Sequence, residues 1–306
     1  MSDPTLAAFC DLVGSHDPVA VAGGKTRFGL GGSLREGTRL VSAPEGILRH
    51  LPEEMTVQVR AGTSVRDLHE ALAEKGQRTA LPERGGSVGG ALAVGENDLH
   101  VLGRGRVRES LLQVRYVSAD GRLVSGGGPT VKNVTGFDIP RLMVGSLGTL
   151  GLIAEVMVRT NPIPPRSIWL TARDVDPFAV RDSLVAASAV LFDGRGTYVQ
   201  LEGQVGDVVA EQALLATLGR FEEVAGPPPL PLHRWSLTPA QLSDEVCMAG
   251  AGDFVASIGV GTVFASLPQP RATVSPALIA LTERVKTAFD PTGRLSPGRD
   301  VLQGRP

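Results

Sequence analysis

Glycine makes up 38 of the 306 residues, against a usual share of about 7%, and it is bunched rather than spread. Four dense stretches, residues 23–32, 85–95, 126–136 and 145–151, all lie in the first half, whereas the second half takes most of its breaks from proline. Glycine permits φ above zero and removes the Cβ that would hold a bulky group away, so successive amides can converge on phosphate oxygens. A fold that gathers several such turns suits a large phosphorylated ligand. Any one of them alone is equally an ordinary tight turn.

The first stretch, VAVAGGKTRFGLGG, contains Gly-Gly-Lys-Thr. A triphosphate loop needs GxxxxGK[ST], which would put a glycine at position 19, and Val19 stands there. The dinucleotide pattern GxGxxG also fails: Gly29 and Gly31 are followed by Leu34, and Gly103 and Gly105 by Arg108. Phosphate-binding glycines remain, without either common nucleotide motif.

The rest of the composition removes other classes. A net charge of −2 offers no global field for nucleic acid or anionic lipid. Cys10 and Cys247 stand far apart with no CxxC pair, so neither a disulfide framework nor a metal site is expected. A reducing, cytoplasmic setting follows. No basic start with an apolar run opens the chain, and no stretch of eighteen apolar residues follows, so neither a signal peptide nor a membrane span is expected.

Local patterns predict strands at 19–22, 57–60 and near 78–81, with a helix between the last two capped by Ser64 and ended by Gly76. Asp120-Gly121 between alternating runs predicts a hairpin of 112–118 with 122–125. A strand over 152–159 precedes Asn161-Pro-Ile-Pro-Pro165, where a domain boundary is placed. Beyond it the expectation is an extended 167–172, a helix from Asp176-Pro177 to about 191, a strand at 197–202 and a helix at 207–218. A stiff proline-rich connector at 226–231, a strand over 254–266 and a helix over 275–289 complete it. This is a small α+β unit.

In order and spacing, AGGKT, LPERGGSVGG, VRYVSADGRLV and VKNVTGFDIPRLMVGSLGTLGLIAEV resemble the FAD-binding domain of the vanillyl-alcohol oxidase superfamily, the PCMH-type flavoproteins. The likeness is greatest to the FAD-binding accessory subunits of bacterial glycolate oxidase. It covers about residues 17–165 and the tail FDPTGRLSPG. The resemblance implies an α+β fold, a two-subdomain PCMH-type FAD-binding domain with a short α+β cap. Its boundaries are expected at 1–163 for the FAD domain and 164–285 for the cap, with the tail 286–306 returning to the FAD domain. By the same carry-over Ala22, Gly23, Gly24, Lys25 and Thr26 form the first pyrophosphate turn, with Lys25 as charge partner or as a solvated surface lysine. Pro82, Gly85, Gly86, Ser87, Gly89 and Gly90 form the second cofactor loop. Gly145, Ser146, Gly148, Thr149, Gly151 and Ile153 lie near the ADP part. Lys132, Asn133, Gly136 and Asp138 match a segment characteristic of the accessory subunits, with Phe137 in place of a tyrosine; an ion pair between Lys132 and Asp138 that fixes a turn is the alternative.

Departures refine the expectation. None of the histidines, at 16, 50, 69, 100 and 233, falls in the first turn, so noncovalent FAD is expected. Ser296 replaces the usual asparagine of the closing motif, which exchanges an amide for one hydroxyl. Oxidation of a 2-hydroxy acid needs a base and a carboxylate clamp; His233 and Arg234 are the available catalytic candidates, although neighbours on an extended run point to opposite faces. The implied function is that of the FAD-binding subunit of a 2-hydroxyacid dehydrogenase, with a larger FAD-containing subunit and an iron–sulfur subunit as partners and a location peripheral to the inner membrane face through them. A stand-alone FAD oxidoreductase and a flavin-free scaffold are the alternatives.

Overall fold

The computed structural model of the chain describes residues 3–128, 138–238, 240–242, 253–270 and 273–303. The chain divides into two compact units. The first takes Met1–Asp98, Arg106–Pro162 and Thr273–Pro306, the second Leu99–Gly105 and Ile163–Ala272.

The first unit is built on the central strand Leu152–Arg159, buried along nearly its whole length. It pairs antiparallel with Thr56–Arg60 on one side and Leu111–Val117 on the other, and Ile47–Leu51 and Leu123–Gly127 close the two edges. The expected hairpin is present, with Gly121 at φ 79° in its turn. The expected helix runs Val65–Ala73, Ser64 accepting from the Asp67 amide and Gly76 taking φ 67°. Its Val65, Leu68 and Leu72 are fully buried, each contributing roughly 1.5–3 kcal/mol of burial. A separate parallel pair, Val19–Val21 with Arg39–Val41, is extended by a bridge from Val19 to Leu295 of the tail. Both sheets share one core with the helix Pro4–Val13, whose Leu6, Phe9 and Val13 are buried. The sequence reading missed that helix although Asp3-Pro4 is a cap followed by a fixed φ.

Two boundaries in this unit differ from expectation. The strand near 78–81 shrinks to Gln77–Arg78, paired with Asn161–Pro162, because the Thr79 hydroxyl accepts the Leu81 amide and turns the chain. The return from the cap comes before residue 286: the helix Pro276–Phe289 lies in the first unit, its Val285 and Phe289 packed on that core.

Among the described residues the second unit holds one antiparallel sheet of seven strands. Their order is Glu222–Val224, Arg166–Arg173, Gly196–Gly203, Ala187–Phe192, Phe254–Ser257, Thr262–Ala265 and His233–Ser236. Helices Pro177–Ser183 and Val205–Leu218 join the core on one face of it. The expected helix to 191 stops at Ser183 because Leu184 turns extended and 187–192 becomes an interior strand. A strand buried on both faces reads as a continuous apolar run, which periodicity does not separate from a buried helix. The single strand expected over 254–266 is a hairpin, turned at Gly259 and Gly261 with φ of 78° and 90°. A Cβ on Gly261 would lie 2.1 Å from the Leu237 carbonyl oxygen, a backbone atom. Gly261→Ala is therefore expected to cost about 1–3 kcal/mol. Both tryptophans, Trp169 and Trp235, lie in this unit, so tryptophan fluorescence in a urea titration reads that loss.

Candidate functional site

In the first unit, two glycine turns sixty residues apart in sequence are brought into contact. The strand Val19–Val21 ends where the Ala22 amide donates to Val41, 2.9 Å, and the chain enters Gly23-Gly24. The second turn, Gly85-Gly86-Ser87, is anchored from below: the Val65 amide donates to Gly86, the Val88 amide to Thr63 and the Gly89 amide to Ala61, at 2.8–3.0 Å. Ser87 then caps the helix Val88–Val94 through the Gly90 amide, 3.2 Å. The fit between the turns excludes side chains. A Cβ on Gly23 would lie 2.6 Å from Ser87 Oγ, one on Gly24 3.1 Å from Gly86 Cα, and one on Gly86 2.7 Å from Thr26 Oγ1. Gly85 and Gly86 have φ of 72° and 83°, and Lys25, without being glycine, takes φ 54°.

The two turns border a cleft of about 630 Å³, open to solvent on one side. Gly23, Gly24, Lys25 and Thr26 line it from the first turn, Gly86, Ser87 and Gly90 from the second, and Ser296 and Arg299 from the tail. Phe28, Leu30, Leu34, Val94 and Leu147 give it an apolar part. Among the described residues its charged lining is Lys25, Arg27 and Arg299, with no carboxylate, in a chain whose net charge is −2. Such a local sign reversal selects an anion.

The tail is fixed beside the first turn by backbone pairing: the Val19 amide donates to Arg294, 2.9 Å, and the Ser296 amide to Val19, 2.8 Å. Ser296 is buried at φ 44°, a conformation that asparagine tolerates better than serine. Asp290 organises the closing motif. Its carboxylate accepts from the Leu295 amide at 2.7 Å, the Arg294 amide at 3.1 Å and Lys286 Nζ at 2.6 Å. Arg294 in turn donates to the carbonyls of Val13, Asp17 and Ala119, and Arg299 donates to those of Phe28, Leu30 and Gly32 while lying 4.9 Å over the Phe28 ring.

Other sequence candidates sit behind the cleft or away from it. Pro82 is buried ahead of the second turn, its carbonyl taking the Arg84 amide at 2.9 Å. The Gly145 and Leu147 amides donate to Leu92 and Ala93, so this segment seals the end of the helix Val88–Val94 and places Leu147 in the cleft wall. Ser146 and Thr149 are buried, with Thr149 Oγ1 donating to the Ser146 carbonyl. Gly148, at φ 72°, passes beneath Ser296, and a Cβ there would lie 2.9 Å from the Ser296 hydroxyl. Gly151 admits the Tyr116 ring, 2.3 Å from where a Cβ would be, and Ile153 pairs with Tyr116 in the sheet. Asp138 caps the short helix Ile139–Met143 and pairs with Arg141 at 3.0 Å, both exposed. Lys132, Asn133 and Gly136, with the Lys132–Asp138 pair, lie outside the described residues. His233 and Arg234 are consecutive on an edge strand of the second unit: Arg234 shares the face of Phe264 and reaches Thr262 Oγ1 at 3.2 Å, while His233 takes the opposite face. They do not converge as a base and a clamp.

A charged trio at the second turn escaped the sequence reading. Glu96, only 5% exposed, accepts from Arg27 Nε at 2.5 Å and also from Arg84 Nη1. Burial alone would raise its pKa, but the two guanidinium groups outweigh that and hold it below the usual glutamate value. Nothing in local spacing links residues 27, 84 and 96.

The architecture meets the requirements of a bound FAD in two independent respects. Glycines let the two turns meet at the cleft wall, where a Cβ on Gly23, Gly24 or Gly86 would strike the opposite turn, and the charged lining is cationic, with Arg27 Nη2 buried without a partner. Among the described residues no cluster of three or more His, Cys, Asp or Glu is placed to hold a metal ion, and no helix is long and apolar enough to cross a membrane.

Comparison with known proteins points the same way. Residues 3–127 match the FAD binding domain family model. The glycolate oxidase subunit GlcE of Escherichia coli (strain K12) is 29% identical over 236 residues, 74% of this chain and 66% of that protein. The D-2-hydroxyglutarate dehydrogenase of Xanthomonas citri pv. viticola is 32% identical over 161 residues, 50% of this chain and 34% of that protein. The chain thus spans less than two thirds of each of these relatives. Among solved structures, an alkyldihydroxyacetonephosphate synthase superposes with a TM-score of 0.69 over 97% of this chain and 74% of that one, at 14% identity. That likeness concerns the fold.

Proposed function

We propose, from the premise that residues 3–127 form an FAD-binding domain of that family, that the protein is the flavin-carrying subunit of an enzyme complex oxidising a small 2-hydroxy acid. The observation that carries the reading is the contact between Gly23-Gly24 and Gly86-Ser87 beside a cleft lined by cations. The names of its relatives, a glycolate oxidase subunit and a 2-hydroxyglutarate dehydrogenase, support the substrate class. The first of them supports a role within a complex.

The roles of the chain's own residues follow from their places. The amides of the first turn and of Gly86 and Ser87 would hold a ligand diphosphate. Arg27 and Arg299 supply positive charge along the same wall, and Ser296 offers a hydroxyl. Phe28, Leu30, Leu34 and Val94 exclude water from the ligand's apolar parts. Bound FAD supplies a two-electron acceptor for hydride leaving the carbon that bears the substrate hydroxyl. With no histidine in the first turn, attachment is noncovalent.

The test is direct. The purified chain is expected to be yellow, or to become so on adding FAD, and to release all its flavin to the supernatant on acid precipitation. Glycolate or lactate is expected to bleach that flavin only when the larger flavoprotein and the iron–sulfur subunit are added back. A chain that stays colourless with FAD in excess refutes the flavin assignment, and bleaching by the chain alone refutes the subunit role.

A further inference from the structure

Of the three cations on the cleft, Arg27 is set apart by being tied to a buried carboxylate with one nitrogen left over. Its Nε is tied to Glu96 at 2.5 Å, and its Nη1 donates to the Gly85 carbonyl at 3.1 Å and to Thr26 Oγ1 at 3.2 Å. Its side chain is 11% exposed. Nη2 alone is left, buried and without an acceptor. A buried donor with nothing to bond to is costly and calls for a missing acceptor. Lys25, by contrast, is exposed at the turn's outer edge.

The carboxylate that holds Arg27 also holds Arg84. Arg27 follows the first glycine turn, Arg84 immediately precedes the second, and Glu96 follows the helix that the second turn starts. One buried carboxylate thus ties together the chain on both sides of the cleft. Two arginines against one glutamate leave a net charge of +1 at that point, and among the described residues no acid on the cleft lining offsets it.

We propose that Arg27 is the cation that neutralises the diphosphate of the bound dinucleotide, and that Glu96 is a positioning residue acting through it, setting the guanidinium between the two turns. The assignment rests on the FAD reading above and shifts the role of charge partner from Lys25 to Arg27. A guanidinium pinned at two nitrogens is pre-organised, so little freedom is lost when the remaining N–H finds a phosphate oxygen. The ligand chemistry recognised is that of a nucleoside diphosphate, which FAD and ADP share.

The experiment titrates the flavin-free chain with FAD and, separately, with ADP, using calorimetry at low and at physiological salt. Arg27→Gln is expected to weaken both ligands by the same factor, about ten- to a hundredfold, the worth of a hydrogen bond between charged partners, and to flatten the salt dependence. Lys25→Ala is expected to change either by less than about threefold. Glu96→Gln keeps both arginines and is expected to weaken binding less than Arg27→Gln, while the double variant binds no worse than Arg27→Gln alone. Far-ultraviolet circular dichroism and thermal melts establish that each variant is folded, and Arg27→Lys provides a milder second variant. Unchanged affinity in both Arg27 variants overturns the proposal, as does a loss confined to FAD with ADP unaffected, or additive losses in the double variant. Wild-type chain that binds neither ligand refutes the FAD reading itself.

Discussion

Gly86→Val is expected to leave the chain folded and unable to retain FAD. Gly86 sits at φ 83°, where a β-branched residue is strongly disfavoured, and its Cβ would fall 2.7 Å from Thr26 Oγ1 and 3.6 Å from Arg27 Nη1. The strain at that φ and the encounter with the Thr26 hydroxyl together push the turn off its path. Relief comes by moving the second turn away from the first, which widens the gap that the diphosphate has to span. Strain of about 1–3 kcal/mol is small beside the burial in the first unit's core, and the atoms nearest to that Cβ belong to Thr26 and Arg27. The expected outcome is at least about a hundredfold loss of FAD affinity, some 2.7 kcal/mol, with tryptophan fluorescence unchanged because both tryptophans lie in the second unit. Combining Gly86→Val with Arg27→Gln is expected to abolish retention on a desalting column. Full retention by the double variant would show that this cleft is not the flavin site.

How far these features were legible in the sequence depended on whether the signal was local. Ser64 as a cap, Asp120-Gly121 as a hairpin turn and Asp176-Pro177 as a helix start are each decided within four residues, and each is present. The helix opened by Asp176 was carried too far because Ala187 to Phe192 is apolar without a period, and only its place between two other strands makes it extended. Gly259 and Gly261, which split 254–266 into a hairpin, carried the signal, but the apolar run around them masked it. At the cleft, the glycines announced themselves by density. Arg27, Arg84 and Glu96 did not, since an ion pair between residues 69 apart leaves no trace in spacing. The opposite faces of His233 and Arg234 were foreseeable from strand alternation alone.

The acid limb of stability in the first unit is expected to run through Asp290. Its side chain is fully buried. Burial by itself would raise its pKa; the Lys286 ammonium at 2.6 Å and the Leu295 and Arg294 amides outweigh that and hold it below the ordinary aspartate value. A carboxyl whose folded pKa is below its unfolded value contributes stability that is full above the unfolded pKa of about 3.9 and is lost as pH falls through the folded value. The wild-type chain should thus weaken steeply below about pH 4. Asp290→Asn removes the charge, leaves Lys286 without its anion, and exchanges an acceptor for a donor opposite one of the two backbone amides, which bond to different carboxylate oxygens. Truncating one member of a buried ion pair costs about 3–5 kcal/mol; with Lys286 29% exposed, the lower end is expected. Because Asp290 shapes the turn that delivers Ser296 and Arg299 to the cleft, the loss should appear as flavin release at lower urea concentration, while the tryptophan transition of the second unit stays in place. The variant's flavin-release midpoint should also vary less between pH 6 and pH 3.5 than that of the wild type. An equal acid slope in both would place the titrating group elsewhere.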